Sequence, residues 1–304
     1  MDNLYPVIFS GSILVVAIRP YLWVPTFFAN LLPPYYILRT TSTNRQLLLF
    51  LTRIIFALYI LLQVAISFWI AYTNRYFLIH YVRRNSLDSK TFIMTSGIII
   101  VQITVQLVIL TQALTGHQLL RSILINVVQL ELDIRKSCTA MYSLCAIRWR
   151  LFLHVGIWIL ATCTFEVYVS YEMFPAEYTP LIYMLSIFGV VLIQMKGIEY
   201  CISVQMIQEL LNLVQHQLIY LKRELVRCER MELRCSLFAE LQANQKLLAR
   251  VWDLLNQVER YFCIPLCMLF FYNGYLIIQT IHWGYINFEL DDLKLRLCRI
   301  SREV

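Results

Sequence analysis

Five long apolar stretches constrain this chain more than anything else in it. Residues 47–72, 91–116, 151–173, 181–201 and 261–285 run almost without charge, and each is long enough to cross a hydrocarbon core of ~30 Å at ~1.5 Å per residue. Inside lipid a backbone satisfies its hydrogen bonds only as a helix or a closed barrel, and a barrel strand needs only ~10 residues of alternating character. The fold class is therefore all-α, a multi-pass helical membrane protein with five spans. Composition agrees. The 304 residues are 59% hydrophobic and 15% charged, against about 45–50% and about 25% in soluble domains. With a mean hydropathy of +0.63, the chain is excluded from the disordered, collagen-like and coiled-coil classes. The net charge of +7 reads as basic loops beside membrane lipids and not as a nucleic-acid surface, so no nucleic-acid partner is expected.

Basic residues also orient the spans, because Lys and Arg are retained on the cytoplasmic side. With the N-terminus inside, sixteen Lys and Arg fall on inner segments, among them Arg121, Arg148, Arg150, Arg227 and Arg230, and eight on outer ones, including Arg75, Arg83, Arg84 and Lys90. Residues 4–32 are apolar but interrupted by Arg19-Pro20 and Pro25. They read as an interfacial or re-entrant helix in preference to a sixth span. The resulting division is an N-terminal cytoplasmic or interfacial segment, 1–46; four spans within 47–201, with an amphipathic inner loop at 117–148; a cytoplasmic helical hairpin, 202–260; the fifth span, 261–287; and a polar tail, 288–304.

The two inner loops carry helical periodicity. Leu120, Leu124, Val128 and Leu132 are spaced four apart with Arg121 and Glu131 off the stripe, which predicts an amphipathic helix under the membrane. In the longer loop, Leu210, Val214, Leu218, Leu221 and Leu225 form one stripe, and Leu237, Leu241, Leu248, Val251, Leu255 and Val258 another. The pair predicts an antiparallel hairpin.

No Gly-rich phosphate loop, nucleophile elbow or zinc-protease motif occurs, and the five histidines are dispersed, so no catalytic constellation assembles and the chain reads as a non-enzyme without cofactor or metal. Nine cysteines are scattered without zinc-finger spacing; Cys263 and Cys267, one turn apart, read as packing residues. Charged groups inside spans are the strongest functional flags, because each costs roughly 2.5–3.5 kcal/mol at mid-bilayer. Lys196 and Glu199 lie three apart and pair on one helix near the inner interface. Glu166 sits in the outer half of its span without such a partner, either as a snorkelling or protonated carboxyl or as a ligand contact. Gln102 and Gln106, one turn apart, serve as interhelical glue or as a polar lining. Aromatic residues gather at outer ends, among them Trp69, Tyr168, Tyr183, Tyr275 and Trp283. They suit an interfacial belt, or a pocket for a small organic molecule. The candidate ligand-binding set is Glu166, Tyr168, Tyr183, Gln102, Gln106 and Trp283. An intramembrane transporter or lipid-modifying enzyme working through Glu166 and Lys196 is the competing reading.

Two segments add a family to this picture. HQLLRSILINVVQLELDI at 117–134, a leucine ladder ending in Asp133, and LLARVWDLLNQVERYFCIPLCMLFFYNGY at 247–275, a Leu-rich helix with Asn256 running into an apolar aromatic span, resemble the first inner loop and the approach to the fifth span of the insect gustatory receptor family. The resemblance implies a seven-span subunit of a tetrameric ligand-gated cation channel, homo- or hetero-oligomeric, in the plasma membrane. It also implies a small organic tastant in an outer pocket, and a pore lined by the seventh helix. Neither a Thr-Tyr nor a Gln-Phe dipeptide occurs in this chain, so the family's last-helix motif is not found; the resemblance then implies that the sixth and seventh spans are missing, as in a truncated product or an alternative isoform, and that this form does not conduct alone.

Overall fold

The computed structural model describes residues 12–27, 46–84, 89–137, 144–173, 180–228 and 231–303, and every described element is an α-helix. In chain order these are α1 (Ile13–Phe27), α2 (Gln46–Arg84), α3 (Ser89–Thr115), α4 (His117–Ser137), α5 (Leu144–Met173), α6 (Pro180–Arg227) and α7 (Met231–Glu303). Five of them contain stretches long and apolar enough to cross a membrane: Phe50–Thr73, Lys90–Thr115, Cys145–Phe165, Ile187–Arg227 and Leu233–Tyr285. These helices keep their few hydroxyls from lipid by folding them back on the preceding turn. Thr73 donates to Trp69 O at 2.6 Å, Thr104 to Ile100 O at 2.8 Å and Thr164 to Leu160 O at 2.8 Å, so a polar side chain costs little in an apolar solvent.

The chain divides into two compact units. The first comprises Met1–Ile60, Leu110–Trp158 and Met195–Ile264; the second comprises Leu61–Ile109, Ile159–Gln194 and Pro265–Val304.

In the first unit, α1 spans 15 residues, about 22 Å at ~1.5 Å per residue and too short for a span. The helix runs through both Pro20 and Pro25, so neither proline ends it. It packs on α4, burying Leu14, Val15, Ala17, Ile18 and Leu22. Its N-terminus is held in an unusual way. Ser12 Oγ accepts from Val15 N at 3.1 Å as a conventional cap, while the Glu131 carboxylate of α4 accepts from Ser12 Oγ, from Ile13 N at 2.9 Å and from Leu14 N at 3.3 Å. Three of the donors that a helix start leaves orphaned are thereby satisfied, and an anion sits at the positive end of the helix dipole. Glu131 is fully buried, contrary to its expected place off the apolar stripe; Arg135 Nη1 lies 4.0 Å from it. The amphipathic reading of α4 otherwise holds, with Leu120, Leu124 and Val128 buried and Gln118, Ser122 and Gln129 exposed. Hydrogen bonds from Gly116 N to Gln112 O and from Leu120 N to Gly116 O carry the helical pattern from α3 into α4.

The expected hairpin is present as the far part of α6 against the first part of α7. Asn244 Nδ2 meets Val214 O at 3.4 Å, and Leu221 and Leu225 share a groove of about 330 Å³ with Leu237 and Leu241, the pairing of an antiparallel arrangement. The buried register on α7 is Asn244, Leu247, Val251, Leu254 and Val258. Leu248 is 41% exposed, so the predicted stripe is displaced by one residue over that turn. The second arm of the hairpin continues into the apolar stretch at 261–285 as one 73-residue helix, α7.

The second unit is organised around an apolar cluster of Ile98, Val105, Ile109, Val190, Ile193, Leu269, Tyr272, Leu276 and Trp283. Outward positions stay apolar, as in Phe68, Trp69, Tyr72, Ile278 and Tyr285, which suits a lipid-facing surface.

Candidate functional site

The second unit holds every residue of the sequence-derived ligand set. Gln106, on α3, is 2% exposed and donates through Nε2 to Gly189 O of α6 at 3.0 Å. Gly189 makes this approach possible: a Cβ there would stand 2.9 Å from Gln106 Nε2 and 3.2 Å from Gln102 Nε2. Gln106 is therefore interhelical glue, as one of its two readings anticipated. Its Oε1 has no hydrogen-bond partner. Trp283 is 3% exposed and belongs to the apolar cluster, so it is not a member of a lipid-facing aromatic belt. Tyr275 is half-buried and donates to Met94 O at 3.0 Å; its hydroxyl and ring stand where a Cβ at Gly97 would go. The side chains of Glu166 on α5, Tyr168 on α5 and Tyr183 on α6 lie outside the described residues.

Three further polar groups of this unit carry no signal in sequence spacing. Gln194 Nε2 donates to Asn273 Oδ1 at 2.7 Å, and Thr91 Oγ1 lies 3.1 Å from His282 Nε2. Gln279 is fully buried on the α7 face that carries Tyr272, Leu276 and Trp283, and neither its amide oxygen nor its nitrogen has a hydrogen-bond partner. An unmet buried amide costs ~1–3 kcal/mol. Such a group marks a position able to bond something that brings both a donor and an acceptor.

Lys196 and Glu199 belong to the first unit. They pair as their spacing predicted, Nζ to Oε2 at 2.7 Å, with both side chains buried. The structure adds a third member from α7: Tyr261 OH donates to Glu199 Oε1 at 3.2 Å and lies 3.4 Å from Lys196 Nζ. The ammonium also stands 4.7 Å from the centroid of the Tyr261 ring and 5.2 Å from that of Phe262, within cation–π range. Lys196 is thus engaged by Glu199, by the Tyr261 hydroxyl and by two ring faces. A second buried carboxylate, Glu209, accepts from Gln205 Nε2 at 2.9 Å and pairs with Arg150 at 2.8 Å. Cys263 and Cys267 are exposed free thiols and do not pack in the core.

Among the described residues no group of three His, Cys, Asp or Glu side chains is placed to hold a metal. The architecture is that of a helical membrane protein whose first unit buries charged side chains and whose second, among its described residues, buries neutral ones, and comparison with known proteins gives it a family: the profile described as 7tm chemosensory receptor matches residues 18–298. The chain belongs to the 7tm chemosensory receptor family. It is 32% identical over 145 residues to "Putative gustatory receptor 98b" of Drosophila melanogaster, a match covering 48% of this chain and 36% of that protein. It is 26% identical over 281 residues to "Putative gustatory receptor 98c" of the same organism, covering 91% of this chain and 68% of that protein. This receptor therefore aligns with about a third of the length of one relative and about two thirds of the other. No solved structure matches it. The gustatory resemblance seen in 117–134 and 247–275 extends over most of this chain.

Proposed function

We propose that this chain is a gustatory-type chemoreceptor subunit that binds a small organic tastant in its second unit and contributes to a ligand-gated cation channel of the plasma membrane. The observation that carries this reading is the family match across residues 18–298. The ligand is assigned to the second unit because its buried polar side chains, Gln63, Thr91, Gln106, Gln194 and Gln279, are neutral groups able to exchange hydrogen-bond partners. A ligand donating to Gln106 Oε1 gains a bond without breaking the Nε2 tie to Gly189. Gln102 lies one turn before Gln106 on α3; Trp283, next to the His282 that meets Thr91, belongs to the apolar cluster nearer the start of α3, and Glu166, Tyr168 and Tyr183 complete the candidate set.

Homo- or hetero-oligomeric assembly, as a tetramer, is supported by the apolar groove on the α6–α7 hairpin, where Leu218, Ile219 and Leu221 face Leu237 and Leu241, and by exposed Phe238 and Trp252 on the same hairpin. The sixteen-to-eight distribution of basic residues supports a cytoplasmic N-terminus.

The test is whole-cell recording from cells expressing this subunit in its complete receptor, with surface expression confirmed, against a panel of neutral and charged tastants. A tastant-evoked cation current that requires this subunit is expected. Surface-expressed receptor silent to the whole panel overturns the reading. Orientation is tested by epitope tags: one inserted at residue 177 labels in intact cells and one at residue 230 only after permeabilisation, and the opposite pattern reverses the topology.

A further inference from the structure

The longest helix, α7, has one proline inside it, Pro265. A proline at that position has no N–H, so the carbonyl four residues earlier, that of Tyr261, loses its helical donor. In lipid an unmet carbonyl is costly. Here it is met from another helix: Gln112 Nε2, at the end of α3, donates to Tyr261 O. Tyr261 is held a second time through its side chain, whose hydroxyl donates to Glu199 and approaches Lys196 on α6. Gly116 clears space for the ring, since a Cβ there would stand 2.9 Å from Tyr261 Cε2. One residue is thus tied by its backbone to α3 and by its side chain to α6, one turn before the proline. The partition of the chain into compact units falls at the same point on α7, between Ile264 and Pro265.

Beyond the proline the ties of α7 are of another kind. Asn273 accepts from Gln194, Tyr275 donates to Met94 O, and His282 meets Thr91. None of these ties involves a carboxylate, and none lies within a turn of Pro265. Helices kink at prolines because the ring clashes with the preceding turn and a hydrogen bond is lost. Where one side of such a site is fixed by a buried ion pair, bending is confined to the other side.

We propose that Gln112, Tyr261, Glu199 and Lys196 form a clamp that fixes α7 up to Tyr261, and that Pro265 is the hinge about which the following segment, 266–285, bends. This conformational device does not depend on the channel reading. It is tested by stability and exchange measurements, whereas the channel reading is tested by current, so the failure of one is distinguishable from the failure of the other.

A double-mutant cycle tests the clamp on the full chain in detergent. Gln112→Leu strands the Tyr261 carbonyl and lowers the unfolding temperature. Pro265→Ala restores an N–H at position 265 that can meet the same carbonyl, so Gln112→Leu in that background costs less than half as much. An equal loss in both backgrounds overturns the proposal. Should Gln112→Leu alone yield no folded protein, recovery of folded protein on adding Pro265→Ala supports the clamp, and failure to recover it overturns it. The hinge is read by hydrogen exchange in lipid nanodiscs: amides 266–270 exchange at least tenfold faster in the parent than in Pro265→Ala, with amides 254–260 alike in both. Equal exchange at 266–270 contradicts the hinge.

Discussion

The first unit buries charge: Glu131, Lys196, Glu199 and Glu209 are each at most 3% exposed. The second unit, among its described residues, buries only neutral amides and hydroxyls, in Gln63, Thr91, Gln106, Gln194 and Gln279, whereas the first buries its charges alongside Ser203, Gln205, Gln217 and Asn244. The two choices differ in what happens when a bond breaks. A buried ion stripped of its partner costs several kcal/mol, so a charge network has one low-energy arrangement. An amide that changes partners loses far less, because the net value of a neutral hydrogen bond is only ~1 kcal/mol. A helical receptor thus carries one interior suited to holding a geometry and another suited to exchanging contacts. Gln106 Oε1 and both amide atoms of Gln279 have no hydrogen-bond partner in the second, and neither have Gln112 Oε1 and Asn244 Oδ1 in the first, whereas the buried carboxylates of the first are each bonded.

The sharpest way to break this contrast is to strand a charge. Lys196→Met leaves Glu199 buried with only Tyr261, and a loss of ~3–5 kcal/mol is expected, read as a collapse in folded yield or thermal stability. Lys196→Met combined with Glu199→Leu should recover most of it; a double variant as unstable as the single one would show that the pair does not act as a unit. Next in size is Glu131→Ala, which uncaps α1. Losing the acceptor of two backbone amides and a hydroxyl should cost ~1–3 kcal/mol and open Arg19 to trypsin. Cleavage at Arg19 unchanged from the parent would mean that α1 is held by its apolar face alone. The smallest effect has the opposite sign: Gln279→Leu removes two unmet polar atoms, so stability should stay level or rise by up to ~1 kcal/mol. A loss above ~2 kcal/mol would mean that the amide is bonded in the working protein.

Much of this fold is legible in the sequence, because lipid imposes simple demands. Long apolar runs become helices, and the leucine spacing in 210–225 and 237–258 forecasts their pairing. The Lys196–Glu199 bond was readable because spacing within one helix fixes proximity. What escaped reading is tertiary. Tyr261 reaches Glu199 across 62 residues and Gln112 across 149, and periodicity carries no information on such partners. Glu131 looked like a solvent-facing charge because a stripe of four leucine-like positions says nothing about a second helix, α1, docking beside it. Trp283 looked interfacial from its place near the end of an apolar run, yet a Trp on the face of Leu276 and Tyr272 packs inward. Residue type marked the site candidates Gln102 and Gln106, while Gln279 lacked a neighbouring amide to draw notice.

The division between a fixed charged interior and an exchanging neutral one is tested most directly by tastant dose–response curves of the complete receptor. If ligand engages the second unit, Gln106→Leu should raise the half-effective concentration at least tenfold and leave the maximal current of surface-expressed receptor near that of the parent. Lys196→Met with Glu199→Leu should leave the half-effective concentration within about threefold and alter the maximal current. The reverse pattern, with tastant sensitivity following the charged pair and indifferent to Gln106, would contradict the account.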